Sequence, residues 1–319
     1  MGILVEDYQN YRGERPSVVC IGNFDGLHRG HRKVLEHSLR LSKSYGADAV
    51  AFSFSPHPRH FFLKSNRPPL LMTDEEKVES ISQIGLDKIL LQRFDQKFSE
   101  HSAAYFRDEI LGRSLDCRAL IVGHDFRFGC GAVGDVETLR NQNMFDVVIV
   151  DGVSHGGRFI SSTWIRECLV RADLELANQL LGHPYFLSGF IVRGDGRGRG
   201  LGIPTANLSA SRQPILPSAV FMGWLEVEGG AQLLEAVVNI GFRPTFEAGF
   251  SIEIHVLHSA QNLYEKNVRI HFLKKIRDEM KFGDGDSLVA QIKKDIAAAS
   301  QNFPNLNFLR SQIRPMQKF

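Results

Sequence analysis

Residues 21–32 read IGNFDGLHRGHR, and their reading decides the fold of the first half of the chain. The stretch leaves the apolar run SVVCIG (17–22), crosses a glycine-rich turn and opens into RGHRKVLEHSLRLSKSYG (29–46), whose apolar residues recur at helical spacing. Further apolar runs follow at DAVAFSF (48–54), KILLQ (88–92), RALIVG (118–123) and FDVVIVD (145–151). Such runs read as strands buried on both faces. Between them TDEEKVESISQIG (73–85), HSAAYFRDEILGR (101–113) and DVETLRNQ (135–142) read as helices, and Gly46 and Gly85 close two of the helices. Five strands alternating with helices predict an α/β fold built on a doubly wound parallel sheet.

After Gly182 the pattern changes to YFLSGFIV (185–192), AVFMGWLEV (219–227), EAVVNIG (235–241), SIEIHVL (251–257) and NVRIHFL (267–273), joined by Gly, Pro and Asn turns. Alternation of this kind predicts an antiparallel β-barrel. The helix DSLVAQIKKDIAAASQ (286–301) and a tail without clear period follow. The expected domains are 1–182 and 183–319, with the boundary near LLGHPY (180–185).

A length of 319 residues agrees with two cores. A net charge of +2, from 38 Lys and Arg against 36 Asp and Glu, disfavours a nucleic-acid or membrane-surface binder and leaves room for a local phosphate pocket. Four dispersed cysteines with no CxxC spacing, and no signal peptide or long apolar run, point to a reduced, cytoplasmic protein.

In a parallel sheet the first strand-to-helix turn lies at the carboxyl edge, where the next helix offers free N–H groups to a phosphate. Gly22, Gly26 and Gly30 allow close approach of the backbone, and His28 and His31 add imidazole donors. Fixed donors suit attack on a nucleotide's α-phosphorus, whose oxygens gain negative charge in the transition state. Two plainer readings stand beside this one: histidines opening a helix on its solvent side, or a zinc pair, which has no nearby thiol or carboxylate cluster to complete it. SSTWIR (161–166) starts a helix, so Ser162, Thr163 and Arg166 form a second candidate phosphate cradle; a simple N-cap is the alternative. GHDFRFG (123–129) ends a strand on the same edge and brings Asp125 and Phe126 as candidates for adenine or flavin, or for the core.

The motif GNFDGLHRGH resembles the HxGH signature of the nucleotidyltransferase superfamily, in the form found in the prokaryotic bifunctional riboflavin kinase/FMN adenylyltransferases (FAD synthetases). FSFSPHPR (52–59), GHDFRFG and ISSTWIR (160–166) occur in that family's order. The second half resembles riboflavin kinases through LGIPTANL (201–208), NIGFRPTF (239–246) and IRDEMKF (276–282), so the resemblance spans residues from about 15 to 300.

The resemblance implies ATP and Mg²⁺ with riboflavin, FMN and FAD as substrates and products, small-molecule partners, no nucleic acid or membrane, and room for a homo-oligomer. It implies nucleotide or phosphate contacts from Gly22, Asn23, Phe24, Asp25, Gly26, Gly30, Ser162, Thr163 and Arg166 around His28 and His31. In the second half it implies a flap with Gly194, Arg197 and Arg199, metal ligation by Thr205 and Asn207, Glu253 as general base, and Arg277 beside Asp125 and Phe126 at flavin or adenine. On residue pattern alone, Glu253 and His255 share one strand face, and either face can be the barrel interior. The chain departs from the kinase pattern at His258 and Ser259, at SAVFMG (218–223) and at Gly200. Rival expectations are an adenylyltransferase with an inactive barrel, a transferase with another phosphorylated acceptor, and a non-catalytic flavin- or nucleotide-binding regulator.

Overall fold

The computed structural model describes residues 2–140, 144–193, 203–230, 232–242, 249–258 and 262–303. By packing, the chain divides into two compact units, Met1–Ser161 and Ser162–Phe319.

The first unit is a six-stranded, wholly parallel sheet. Its strands are β1 (Ile3–Glu6), β2 (Ser17–Ile21), β3 (Asp48–Ser55), β4 (Lys88–Arg93), β5 (Cys117–Gly123) and β6 (Asp146–Val150), in the order β1-β4-β3-β2-β5-β6. The expected five strands form, and β1 adds a sixth at the edge beside β4.

Helix α1 (Arg29–Tyr45) starts on His28 and stops at Gly46, which adopts the left-handed conformation at φ 58°. The short α2 (Pro58–Phe62) follows β3. Helix α3 (Asp74–Ser82) opens with a full capping box between Thr73 and Glu76. After α4 (Gln96–Ser99) and α5 (Ala103–Tyr105) the chain widens into a π-helix over Phe106–Ser114. Its inward residues Phe106, Ile110 and Leu111 lie four and five positions apart, a spacing that a wider turn brings to one side. Helix α6 (Val136–Arg140) precedes β6, and the hairpin β7 (Ser154–His155) and β8 (Arg158–Phe159) turns at Gly156 and Gly157, both at positive φ. The core is apolar strand face: Val18, Val19 and Cys20 of β2 and Val50 and Phe52 of β3 are completely buried. Each such side chain contributes about 1.5–3 kcal/mol.

The second unit begins with α7 (Ser162–Val170) and α8 (Leu174–Leu181), which ends on Gly182 at φ 80°. Asn178 of α8 donates to the Phe272 carbonyl and accepts from the Tyr185 N–H, which fastens α8 to the barrel. The barrel is closed in the order β10-β13-β12-β11-β14-β9. Its strands are β9 (Tyr185–Val192), β10 (Ala206–Ala210), β11 (Ala219–Val227), β12 (Leu233–Phe242), β13 (Phe250–Val256) and β14 (Asn267–Asp278). Helix α9 (Gly285–Ser300) lies against the outside, where Ile296 and Ala299 pack with Val220, Met222 and Val237.

Register settles the orientation of β13. Ile252 and Ile254 pair with Ile240 and Val238, and all four are buried at 4% exposure or less. Glu253 and His255 pair instead with Asn239 and Val237, the face that continues under α9. The isoleucines therefore fill the barrel and Glu253 faces outward.

Candidate active sites

In an open parallel sheet a ligand crevice lies outside the carboxyl ends of the strands where the order reverses. Here β2 has β3 on one side and β5 on the other, so that point lies between the turns after β2 and β5. The first turn carries the histidines and the second carries GHDFRFG.

Between residues 22 and 28 the backbone is forced into an unusual path. Phe24, Gly26 and Leu27 take φ values of 50°, 81° and 40°. Left-handed conformations at non-glycine residues cost on the order of 1–3 kcal/mol each and persist only when the surroundings hold them. Burial of Phe24 and Leu27 at 1% exposure does part of that work. Asp25 does the rest: its Oδ1 accepts from the Leu71 N–H at 2.8 Å and the Met72 N–H at 3.1 Å, tying the turn to the segment that leads into α3.

The side chains of two expected phosphate contacts are engaged inside the fold. Asp25 is 2% exposed and a buried carboxylate that clamps backbone, and Phe24 reaches the site only by presenting its ring to His31, with ring centres 5.5 Å apart and nearly perpendicular. Asn23 stays exposed, and its carbonyl accepts from Ser53 Oγ.

His28 is the N-cap of α1; its Nδ1 accepts from the His31 N–H at 3.3 Å, so its proton sits on Nε2. The two imidazoles stack at 3.6 Å with 17° between planes. A Cβ on Gly30 would stand 3.1 Å from His28 Cε1, and one on Gly22 would stand 2.7 Å from the Phe24 ring, so both glycines make space for aromatic rings. His31 Nδ1 is buried with no hydrogen-bond partner among the described residues. Burial first, then the basic neighbours His28, Lys77 and His57, hold the His31 imidazole well below its ordinary pKa. His31 is thus a neutral donor at the positive end of a 17-residue helix.

His57, which sequence reasoning passed over, caps α2 in the same way, its Nδ1 accepting from the Arg59 N–H at 3.1 Å. The signal was present in SPHPR: a histidine before a proline that opens a helix.

Across the switch point Asp125 is exposed after β5. Phe126 is half-buried, stacked on Phe128 at 5.6 Å and packed against the core. Ser162, Thr163 and Arg166 lie in the first two turns of α7, within the second unit. Among the described residues no group of three or more His, Cys, Asp and Glu is arranged to hold a metal ion.

The second site lies on the barrel's outer face. Asn207 of β10 pairs directly with Glu253 of β13, and Glu253 pairs with Asn239 of β12, so amide, carboxylate and amide stand side by side across three strands. Directly paired residues hold their Cβ atoms about 4.5–5.5 Å apart. Thr205 immediately precedes β10. His255 Nδ1 donates to the Pro204 carbonyl at 2.8 Å and so fastens that threonine's segment to β13. Asn239 and His255 were missed because their value depends on cross-strand register.

The Arg277 guanidinium is likewise engaged within the second unit. Its Nε and Nη2 bond the carboxylate of Asp295 at 2.8–3.0 Å, and Nη1 donates to the Asp278 carbonyl. Asp295 is 3% exposed, so Arg277 anchors α9 to β14. His258 falls in the turn after β13, at φ 54°, away from the Asn207–Glu253–Asn239 row. Gly194, Arg197, Arg199, Gly200 and Ser259 lie outside the described residues.

Comparison with known proteins assigns both halves. Residues 11–164 match the FAD synthetase family model, and residues 181–303 match the riboflavin kinase model. A bifunctional riboflavin kinase/FMN adenylyltransferase of Escherichia coli strain K12 is 38% identical over 90% of this chain and 92% of its own length. The proteins of that description from Pseudomonas fluorescens and Bacillus subtilis strain 168 are 35% and 34% identical, over 93% and 91% of this chain and 96% and 93% of theirs. A solved structure described as a macrolide-efflux protein from Streptococcus pneumoniae superposes with a TM-score of 0.85 at 26% identity, covering 95% of this chain and 99% of that one. Among the described residues no helix is long and apolar enough to cross a membrane. With an HxGH turn at the switch point of one unit, a PTAN-to-glutamate register on the barrel of the other and full-length relatives of one kind, this chain belongs to the bifunctional riboflavin kinase/FMN adenylyltransferase family.

Proposed function

We propose that the two sites work in sequence, the barrel phosphorylating riboflavin to FMN and the parallel-sheet unit adenylylating FMN to FAD, both with ATP. The geometric observation that supports this reading most is the register of Asn207, Glu253 and Asn239, since it brings a carboxylate and oxygen donors together on one accessible face.

At the barrel, Glu253 takes the proton of the terminal ribityl hydroxyl as its oxygen attacks the γ-phosphorus of ATP, and ADP leaves. Thr205 Oγ1 and Asn207 Oδ1 are hard oxygen donors of the kind that share Mg²⁺ with a polyphosphate, and they would hold it there. When bound, Mg²⁺ supplies charge neutralisation on the phosphates.

At the histidine pair, an FMN phosphate oxygen attacks the α-phosphorus of ATP. The bond from that phosphorus to the bridging oxygen breaks, and pyrophosphate leaves. His28 and His31 donate to the oxygens that gain charge, and Gly22, Gly26 and Gly30 let phosphate approach the N-terminus of α1. Ser162, Thr163 and Arg166 serve as further phosphate contacts, and Asp125 and Phe126 line the base or flavin. The functional division on this reading is 1–182 and 183–319, in keeping with family matches that end at 164 and begin at 181.

Purified protein with ATP and Mg²⁺, given riboflavin in one tube and FMN in another, tests the proposal by chromatography of the flavins. Riboflavin passing to FMN and then FAD is the expected result. Conversion of FMN alone would leave the barrel inactive, and no conversion of either would sink the proposal. Analytical ultracentrifugation of the same preparation reads its self-association.

A further inference from the structure

The motifs NIGFRPTF (239–246) and IRDEMKF (276–282) lie far apart in sequence, and their described parts meet at Gly241. This glycine sits in extended β12, pairs with Ser251 of β13 and has no positive φ. Its backbone suits any residue, and glycine inside a strand weakens the strand, so what it supplies is space. A Cβ built on Gly241 would stand 3.2 Å from Glu279 Oε1, 3.4 Å from Ser251 Oγ and 3.9 Å from Asn239 Nδ2. A carboxylate, a hydroxyl and an amide thus converge on the hollow that the missing side chain leaves.

Ser251 lies two residues before Glu253 on the same face of β13, and Asn239 pairs with Glu253, so the hollow adjoins the Asn207–Glu253–Asn239 row. Glu279 follows β14 directly, and Arg277, two residues earlier, is fixed to Asp295 of α9, which holds that segment in place. Among the described residues none of the three side chains makes a hydrogen bond or an ion pair. Asn239 and Ser251 are half-buried and Glu279 is exposed, so the hollow opens to solvent beside the carboxylate.

The chemistry of these groups decides what fits. An ionised carboxylate only accepts, an amide nitrogen only donates, and a serine hydroxyl does both. A phosphate is repelled, since Glu279 and Glu253 present like charge to it. An alcohol donates to Glu279 while accepting from Asn239, and a neighbouring alcohol on the same chain meets Ser251. Resting on the kinase reading above, we propose that Asn239, Ser251 and Glu279 form a polyol subsite around Gly241 that binds the secondary hydroxyls of the ribityl chain. The terminal hydroxyl is thereby aimed along the row at Glu253. Hydrogen bonds to an ionised acceptor are the strongest of the set, so Glu279 dominates the preference for a hydroxylated chain.

The test compares riboflavin with a flavin bearing an ω-hydroxypentyl chain, which keeps the terminal hydroxyl and lacks the secondary ones. Binding is read by titration of flavin fluorescence and turnover by phosphorylation with ATP and Mg²⁺, for the full chain and for Glu279→Gln and Gly241→Ala. The unsubstituted protein should favour riboflavin by about 10- to 100-fold in kcat/KM, carried mainly by KM. Both substitutions should remove most of that preference by weakening riboflavin alone, with the ω-hydroxypentyl flavin changed by less than about twofold. The methyl of Gly241→Ala comes closest to the movable end of Glu279, so the urea midpoint should stay at or above that of the unsubstituted protein. A purely structural role would lower the midpoint and weaken both flavins equally.

Equal losses for the two flavins, or a riboflavin preference that survives both substitutions, overturn the proposal. An unsubstituted protein that handles both flavins alike overturns it too, and that result needs no variant to fold. Should the unsubstituted protein phosphorylate neither flavin, the kinase reading falls, and the binding titration still decides whether the subsite recognises hydroxyls.

Discussion

The two sites are built by opposite strategies. At the parallel sheet the proposed site lies in a turn, where the helix N-terminus, the glycines and the capping histidine are close in sequence and the groups around them are buried supports. On the barrel the proposed site residues come from three strands and are separated by up to 46 positions, yet antiparallel register sets Asn207, Glu253 and Asn239 in one row. A site made from a turn is vulnerable to changes in backbone path; a site made from register is vulnerable to loss of single side chains and to anything that loosens the strands.

The sharpest way to separate them is substitution at the reacting groups. Glu253→Gln should lower riboflavin phosphorylation by about 10²–10⁴-fold and leave FMN adenylylation intact, as read from the two flavin conversions assayed separately. His28→Ala and His31→Ala should do the reverse, lowering FAD formation by about 10²–10³-fold while FMN still forms from riboflavin. A loss of both activities in either variant would break the comparison, because it would mean that the sites do not act independently.

Structural supports should divide in the same way. Arg277→Met strands the buried Asp295 carboxylate without its partner and should destabilise the barrel by about 3 kcal/mol, seen as a lower midpoint in urea unfolding of the second unit. Gly30→Ala puts a methyl 3.1 Å from His28 Cε1 and should slow FAD formation several-fold, by about 1 kcal/mol in the barrier, with riboflavin phosphorylation unchanged.

The smallest effect expected is on pH. The folded-state pKa of His31 lies well below the ordinary value of 6.5. At neutral pH the ring is neutral in both folded and unfolded chains and costs nothing. Below about 6.5 the unfolded chain takes up a proton that the folded one refuses, so stability falls as pH falls, by at most about 1.4 kcal/mol per unit, until the folded pKa is reached. Replacing His31 by Asn should flatten that part of the stability curve, measured by denaturant midpoints at successive pH values.

The same contrast explains what could be read beforehand. The histidine turn was legible because strand, glycine turn, cap and helix follow one another within some thirty residues and each leaves a local mark. Five strands of the sheet were legible as apolar runs. Strand β1 was not: it is four residues long with Ile3 and Leu4 exposed, and only its pairing with β4 makes it a strand. The π-helix looked like an ordinary helix because its residues are good helix formers, and the wider turn shows only in which of them face inward. Strand β10 was hidden behind a glycine-rich stretch and is recognised by its partners β9 and β13.

Local order along the chain thus determined, by itself, the succession of a parallel α/β unit and an antiparallel barrel, the two motif-bearing turns, and the residue types able to handle phosphate. Tertiary structure alone decided that Glu253 faces outward, that Asp25 and Arg277 act as clamps, and that Lys77 ties α3 to the end of β3. The reason is physical: periodicity and turn chemistry act over a few residues, whereas burial, register and the sign of a neighbouring charge depend on groups that only folding brings within a few ångströms of one another.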